Sequence, residues 1–274
     1  MKKILLAFDG VQFSSGAFEF ARQLNALHPV YLTGVFIPQL SYANLWHYTN
    51  GMAGPTYIPM LNKEEPADLE KNIKRFESLC QDNSIQYKVH KDYFDFALPE
   101  LRKETRFADL LIISSETFYN NAGKGSPNDY MKEALHHSEC PVIIVPENFQ
   151  FPQVNILAYD GSESSVYAIK QFLYLFPELC KHETLLVYSS EKDNDSLPEK
   201  EQIEELTKQH FSDVSILKLE FDPKKHFGKW INENSNAILV SGSFGRSMFS
   251  EMFRKSFVSD VIAEHRLPVF IAHK

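Results

Sequence analysis

Cysteine is scarce in this chain of 274 residues, which contains three at widely separated positions: Cys80, Cys140 and Cys180. An odd number of scattered cysteines gives no disulfide framework, and neither a Cys-x-x-Cys pair nor a Cys/His spacing indicates a zinc site. Reduced thiols are the simplest interpretation, and they are typical of a cytoplasmic protein. The fold must therefore depend on a hydrophobic core, for which 43% apolar residues are sufficient.

Excess positive charge and a membrane-length apolar segment are also absent. The formal net charge is -8, which makes a nucleic-acid backbone a poor partner. The apolar run at the N-terminus is too short for a signal peptide and meets Asp9 at once. Residues 23–62 contain no charged Asp, Glu, Lys or Arg side chain, but Pro29, Pro38 and Pro55 interrupt them. We expect a cytoplasmic protein without membrane or nucleic-acid partners.

A catalytic constellation is missing as well. Ser162, Ser164 and Ser165 lack a nucleophile-elbow context and a recognisable His/Asp set, so they are interpreted as a cap for the following helix. His136 and His137 are adjacent on a predicted helix, so their rings point to different faces and cannot share a metal. We therefore expect neither a metal site nor an enzyme.

The chain does contain an internal repeat. The segment "ILLAFDG" (4–10) recurs as "ILAYDG" (156–161), which pairs Asp9 with Asp160 at an offset of 151. The segments "ADLLIISS" and "CPVIIVPE" recur as "NAILVSG" and "LPVFIAHK", both at an offset of 127. The first half therefore holds 24 additional residues, and the aromatic, charge-poor stretch 38–64 is their obvious place.

Strand and helix patterns alternate within each half, and the strands are continuously apolar. Such strands are typical of parallel sheets that are covered on both faces. The sequence predicts an α/β protein with two tandem doubly wound domains, 1–147 and 153–274, each a five-stranded parallel sheet flanked by helices. We expect the terminal strands, Val142–Val145 and Val269–Ala272, to pair with each other within the chain, because each would otherwise leave an open edge.

Two segments of the second half resemble a known family. "ILAYDGSESSVYAIKQF" is similar to the opening of universal stress proteins, whose first strand ends in an Asp-Gly-Ser-like turn. "NAILVSGSFGRSMF" and "SDVIAEHRLPVFIA" look like that family's fourth strand, glycine turn, fourth helix and last strand. Since the repeated segments occur in the same order in both halves, the chain resembles a tandem universal stress protein with the adenine-nucleotide alpha-hydrolase-like fold. Such a chain is comparable to a fused dimer, so it is expected to be a monomer or a homodimer.

The resemblance implies ATP, with Mg²⁺, as the ligand to consider. ATP-binding relatives carry a pattern similar to Gly-x2-Gly-x9-Gly-Ser/Thr, in which bare backbone approaches the phosphates. The second half retains this pattern except that a lysine replaces the third glycine. The nucleotide-binding residues that it implies are Asp160, Gly242, Ser243, Gly245, Lys255 and Ser256. None of the corresponding residues of the first half matches this pattern; they are Ser115, Phe118, Asn128 and Asp129.

Lys255 leaves the strength of binding open. Its side chain crowds a place where glycine allows close approach, yet its ammonium group can attract a phosphate. Three functions therefore remain as hypotheses. The chain is a stress or signalling protein that binds ATP weakly in its second half and turns it over incidentally at most, or a scaffold that has lost the nucleotide. The third is a carrier of an apolar ligand beneath the aromatic insertion.

Overall fold

The structure is a computed structural model, and it describes most of the chain. The described ranges are 1–37, 41–44, 57–60, 65–91, 97–118, 128–189, 197–219, 236–242 and 257–273.

The first half alternates strands with helices and carries one hairpin. Its elements are β1 (Lys2–Phe8), α1 (Ser15–Leu27), β2 (Val30–Phe36), β3 (Ser41–Asn44), β4 (Tyr57–Met60), α2 (Glu65–Asp82), β5 (Gln86–Lys91), α3 (Ala97–Thr105), β6 (Leu110–Ser114), α4 (Asp129–His137) and β7 (Val142–Val145). Strands β3 and β4 form a separate antiparallel pair inside the insertion.

Within the described ranges, the second half repeats this order without the hairpin and without a counterpart of α3, whose place falls among residues 220–235. Its elements are β8 (Val154–Tyr159), α5 (Glu163–Leu175), a short 3-10 helix (Leu179–Lys181), β9 (Glu183–Ser189), α6 (Lys200–His210), β10 (Asp213–Leu219), β11 (Ala237–Ser241), α7 (Phe257–Ala263) and β12 (Val269–Ile271).

All strands except the hairpin join one ten-stranded sheet in the order β10-β9-β8-β11-β12-β7-β6-β1-β2-β5. The five strands of each half are parallel to one another. The halves meet where β7 pairs antiparallel with β12, in the register that sets Ile143 opposite Phe270. The predicted pairing of the two terminal strands is therefore confirmed, and it turns two five-stranded sheets into one.

Both faces of the sheet are covered, because successive side chains of a strand point to opposite sides. Ile4, Leu6 and Phe8 enter one core, beneath α1, α2, α5 and α6. Leu5 and Ala7 enter the other core, beneath α3, α4 and α7. Each core contains residues from both halves, so the seam between β7 and β12 lies inside a continuous apolar layer.

Short polar side chains start the helices where the sequence places them. Ser14 Oγ accepts a hydrogen bond from the Ala17 N–H at 3.0 Å, and Ser162 Oγ accepts one from the Ser165 N–H at 3.1 Å. Each satisfies one of the donors that a helix start leaves unpaired. The interpretation of the serines after Asp160 as a helix cap is confirmed.

The predicted α/β fold class is confirmed, whereas the division into domains 1–147 and 153–274 stays a prediction. The β3–β4 pair was not predicted, and the aromatic side chains of the insertion lie outside what the structure describes. The alternation of strands and helices also predicts a helix at 223–233, which lies outside the described residues. None of the helices within the described ranges is long and apolar enough to cross a membrane.

The seam makes a testable prediction about Phe270. Its side chain is fully buried, with ring centroids 5.4 Å from Phe172 and 5.9 Å from Phe176. Phe270→Ala should lower the free energy of unfolding by about 3–5 kcal/mol, measured by urea denaturation. Phe107→Ala is the control, because Phe107 is 67% exposed and its removal should cost less than about 0.5 kcal/mol. Equal losses in the two variants would contradict this account of the seam.

Candidate functional site

The candidate site lies where the strand order reverses in each half. In the second half β8 and β11 are neighbours, although β9 and β10 follow β8 in the chain. In the first half β1 and β6 are neighbours in the same way. Ligands of open parallel sheets bind in the crevice beyond the carboxyl ends of such strands. Asp9 and Asp160 directly follow β1 and β8, so both halves place an aspartate at this crevice.

Both aspartates cap the turn that follows them. Asp9 Oδ1 accepts hydrogen bonds from the Val11 and Gln12 N–H groups, each at 3.0 Å. Asp160 Oδ1 accepts one from the Ser162 N–H at 2.9 Å. The next residue, Gly10 or Gly161, has a φ of 86° or 78°, which strongly favours glycine. The Asp-Gly repeat thus has a structural cause that needs no ligand.

Gly242 is held against the first turn of α5. A Cβ added at Gly242 would lie 2.3 Å from the carbonyl carbon and oxygen of Ser164. Only a residue without a side chain fits there, since real Cβ contacts are almost never that short. The structure therefore brings the end of β11, the start of α5 and the Asp160 turn together. Of the nucleotide-binding residues predicted from sequence, it describes only Asp160 and Gly242; the others, Ser243, Gly245, Lys255 and Ser256, lie outside the described residues.

In the first half, side chains occupy the positions of the missing glycines. Ser115, the counterpart of Gly242, is within hydrogen-bond distance of the second half, with 2.8 Å between its Oγ and His265 Nδ1. Phe118 is buried in the core that α3 and α4 cover. Asn128 caps α4 by accepting from the Met131 N–H at 2.8 Å, and its Nδ2 donates to the Phe118 carbonyl at 2.8 Å. Asp129 is the first residue of α4. The first three residues therefore hold structural contacts.

Aromatic rings fill the strand ends of the first half. Phe8, at the end of β1, stacks on Phe13 at 4.9 Å and on Phe36 at 4.8 Å between ring centroids. The Arg75 guanidinium lies 4.4 Å from the Phe13 ring centroid. Sequence reasoning missed this cluster. The signal was present, because residues 11–13 are three extra positions between the Asp-Gly pair and the helix cap, compared with the second half.

In the second half, Tyr159 and Pro198 lie at the turn formed by Asp160 and Gly161. The Tyr159 hydroxyl donates to the Pro198 carbonyl at 3.0 Å, and Pro198 lies against Gly161, where an added Cβ would come within 2.7 Å. Burial raises the pKa of Tyr159, and the Glu199 and Asp160 carboxylates add to the effect. Asp160 itself stays half-buried. The crevice of the second half thus keeps an accessible carboxylate, whereas Asp9 is 7% exposed.

A further residue missed by sequence reasoning is Glu147. Its carboxylate accepts hydrogen bonds from Ser14 Oγ, from the Gly16 N–H at 3.0 Å and from Ser114 Oγ at 2.9 Å. An anion therefore already sits at the start of α1, beside the end of β6. The repeat could have indicated this, because Lys274 is the corresponding residue of the second half and has the opposite charge.

The part of the chain that the structure describes contains neither a cluster of metal ligands nor an exposed thiol. No group of three or more His, Cys, Asp or Glu side chains there could hold a metal ion. The three cysteines are free and buried, and burial raises the pKa of each thiol to about 12. At neutral pH such thiols stay protonated and are poor nucleophiles.

The topology and the strand-end turns define a doubly wound α/β protein. No protein-family model matches the chain, and no curated protein matches it in sequence. A universal stress protein from Archaeoglobus fulgidus DSM 4304 matches with a TM-score of 0.68 at 16% identity, over 100% of this chain and 96% of that one. The chain therefore has the fold of a universal stress protein over its whole length, as the resemblance predicted.

Two other solved structures show how widely this fold is used. A functionally unknown protein from Pseudomonas aeruginosa PAO1 has a TM-score of 0.55 at 11% identity, covering 100% of this chain and 92% of that one. The cytoplasmic domain of a prokaryotic cation chloride cotransporter has a TM-score of 0.54 at 10% identity, covering 98% and 94%. At such identities the likeness shows the fold alone, and function has to be argued from the site.

The buried thiols make a prediction about reactivity. With a pKa of about 12, about one thiol in ten thousand is ionised at pH 8, and burial blocks access as well. The folded protein should therefore resist alkylation by iodoacetamide at pH 8, as followed by mass spectrometry. In guanidinium chloride all three cysteines should react. A cysteine of the folded protein that reacts as fast as a free peptide thiol would contradict this environment.

The contact of Gly242 makes a second prediction. Gly242→Ala should lower the free energy of unfolding by about 1–3 kcal/mol, because the new Cβ collides with the Ser164 backbone. Ser115→Ala is the matched change in the first half, where a Cβ is already accommodated. It should cost about 1 kcal/mol for the lost contact with His265. Urea denaturation checks both, and an unchanged Gly242→Ala stability would show that β11 does not press on α5.

Proposed function

We propose that this chain is a tandem universal stress protein with a role in stress response or signalling. On this proposal it binds ATP, with Mg²⁺, weakly and only in its second half. The observation that carries the proposal is the contact of Gly242 with the first turn of α5, next to the half-buried Asp160 at the switch point of β8 and β11. That arrangement supports a crevice bounded by a glycine turn, a helix start and a carboxylate.

The filled crevice of the first half supports the one-sided assignment. Phe8, Phe13 and Phe36 stack at its strand ends, and the Glu147 carboxylate occupies the start of α1. A nucleotide would have to displace an aromatic cluster and bring phosphate charge close to a carboxylate, both of which are unfavourable. We therefore propose a stoichiometry of one nucleotide per chain.

We propose a binding role and not a catalytic one. In the described structure Asp160 caps its own turn by accepting from the Ser162 N–H, which is a positioning role. Any hydrolysis of ATP would be slow and incidental to binding. When the purified protein is titrated with ATP, the site should therefore fill without rapid release of phosphate.

A scaffold function is the second candidate, and one observation favours it. Gly242 has a packing partner in Ser164, so its lack of a side chain is explained without any ligand. The loss of the third glycine at Lys255 agrees with this function. The fold also occurs in the cytoplasmic domain of a cation chloride cotransporter. A scaffold would use the same ten-stranded sheet to present its surface to partner proteins.

A titration with a fluorescent ATP analogue, with and without Mg²⁺, tests the proposal. We expect one site with a dissociation constant of about 0.1–1 mM that weakens as salt is added. Asp160→Ala should weaken binding about tenfold. Asp9→Ala is the matched control, because Asp9 caps the equivalent turn in the filled half and should affect stability alone.

Two further variants address the predicted cradle itself. Gly245→Val should abolish binding, because a branched side chain would stand where the phosphates approach the backbone. Lys255→Gly should tighten binding if crowding dominates and weaken it if the ammonium charge does. If neither the wild type nor Lys255→Gly binds ATP at millimolar nucleotide in calorimetry, the nucleotide function is wrong and the scaffold function remains.

A further inference from the structure

Glu147 stands at the junction between the two halves. It lies two residues after β7, the strand that forms the seam. Residues 146–153, which we call the strap, connect β7 to β8, and Glu147 is the second residue of the strap. Three donors converge on its carboxylate: Ser14 Oγ, the Gly16 N–H at 3.0 Å and Ser114 Oγ at 2.9 Å. Hydrogen bonds to an ionised acceptor are stronger than those between neutral groups. One side chain thus ties the strap to both α1 and β6.

The backbone of the strap is fixed at the same place. A Cβ added at Gly16 would lie 2.3 Å from the Pro146 carbonyl oxygen and 2.7 Å from Glu147 Cα. The strap therefore lies directly on the first turn of α1. The Glu147 N–H also donates to Glu116 Oε2 at 2.5 Å, which adds a tie to the turn after β6.

Beyond Glu147 the strap is held by aromatic contacts. Phe149 and Phe151 pack on Phe20 of α1, with ring centroids 5.6 Å and 5.3 Å apart. Phe20 is fully buried, whereas the two strap residues are half-buried. Further along, Pro152 is buried and the Gln153 N–H donates to the Asn236 carbonyl at 2.7 Å, so the far end of the strap is anchored to the second half. Glu147 provides the polar contacts at the near end.

We propose that Glu147 is a clasp that keeps the strap closed on α1, and that this clasp fixes how the second half is connected to the first. The clasp consists of Glu147 with Ser14, Gly16 and Ser114. When it is intact, the strap adds a rigid connection to the three-residue pairing of β7 with β12. When it is broken, the strap swings away while both cores persist. This device is independent of nucleotide binding.

The clasp is tested by replacing its carboxylate in the full chain. Glu147→Ala should make the strap amides exchange about tenfold faster, measured by mass spectrometry. Pro146 and Pro152 have no amide hydrogen, and the most informative amide is that of residue 147, which donates to Glu116. Chymotrypsin can cut the strap after Phe149, whereas Pro152 protects the bond after Phe151, and cleavage after Phe149 should become faster by a similar factor. Glu147→Gln keeps the size of the side chain but replaces one accepting oxygen with an amide NH2 group, which can only donate hydrogen bonds. It should open the strap as well, and it serves if Glu147→Ala does not fold.

An independent variant approaches the clasp from the other side. Gly16→Ala leaves the carboxylate intact but pushes Pro146 and Glu147 off the helix, so it should open the strap equally. Ile203→Ala is the control, because it removes a buried side chain of α6 and lowers overall stability without touching the strap. It should leave strap exchange and cleavage at the wild-type rate under native conditions.

The outcomes separate the clasp from general destabilisation. Faster strap exchange in Glu147→Ala and Gly16→Ala, together with an unchanged strap in Ile203→Ala, supports the proposal. Wild-type protection of the strap in the folded Glu147→Ala or Glu147→Gln protein overturns it. Equal opening in Ile203→Ala also overturns it, because the strap would then report only the stability of the whole fold.

Discussion

The antiparallel pairing of β7 with β12 joins two parallel sheets into one and unites the apolar layers on both of its faces. Each half ends its parallel sheet in a strand whose outer edge would otherwise have unpaired N–H and C=O groups, and such edges promote aggregation. Pairing the two edges satisfies both and brings Ile143 opposite Phe270. Because each core contains residues from both halves, the halves share one apolar interior. The seam therefore provides both the backbone connection and the packing that hold the repeat together.

The repeat conserves its turns and diverges in what covers them. Asp9 and Asp160 cap equivalent Asp-Gly turns, and Gly10 and Gly161 both have positive φ. The backbone requirement is the same, so the same dipeptide serves both halves. The side chains that pack over these turns do not have to meet this backbone requirement, so they differ between the halves. The first half uses an aromatic cluster around Phe13, and the second half uses a proline.

Much of the fold could be predicted because its strands are continuously apolar and its helices begin at recognisable caps. The alternating patterns predict a helix at 164–176, which lies at Glu163–Leu175, and a strand at 237–241, which is Ala237–Ser241. The hairpin escaped prediction because its strands lack a clear alternation of apolar and polar residues and include Pro59. The role of Glu147 escaped because its partners are more than 30 residues away in sequence. No local pattern reports a contact of that range.

Glu147 also explains why the two halves need not behave alike. A carboxylate that belongs to the chain is present at an effective concentration set by the fold, whereas a free anion is present only at its concentration in solution. The start of α1 is therefore occupied whatever the surrounding anion level. The corresponding position of the second half is a lysine, which cannot supply such an acceptor. The two halves therefore differ at equivalent helix starts: α1 has a carboxylate of the chain as its partner, whereas the start of α5 lies beside Asp160 and Gly242.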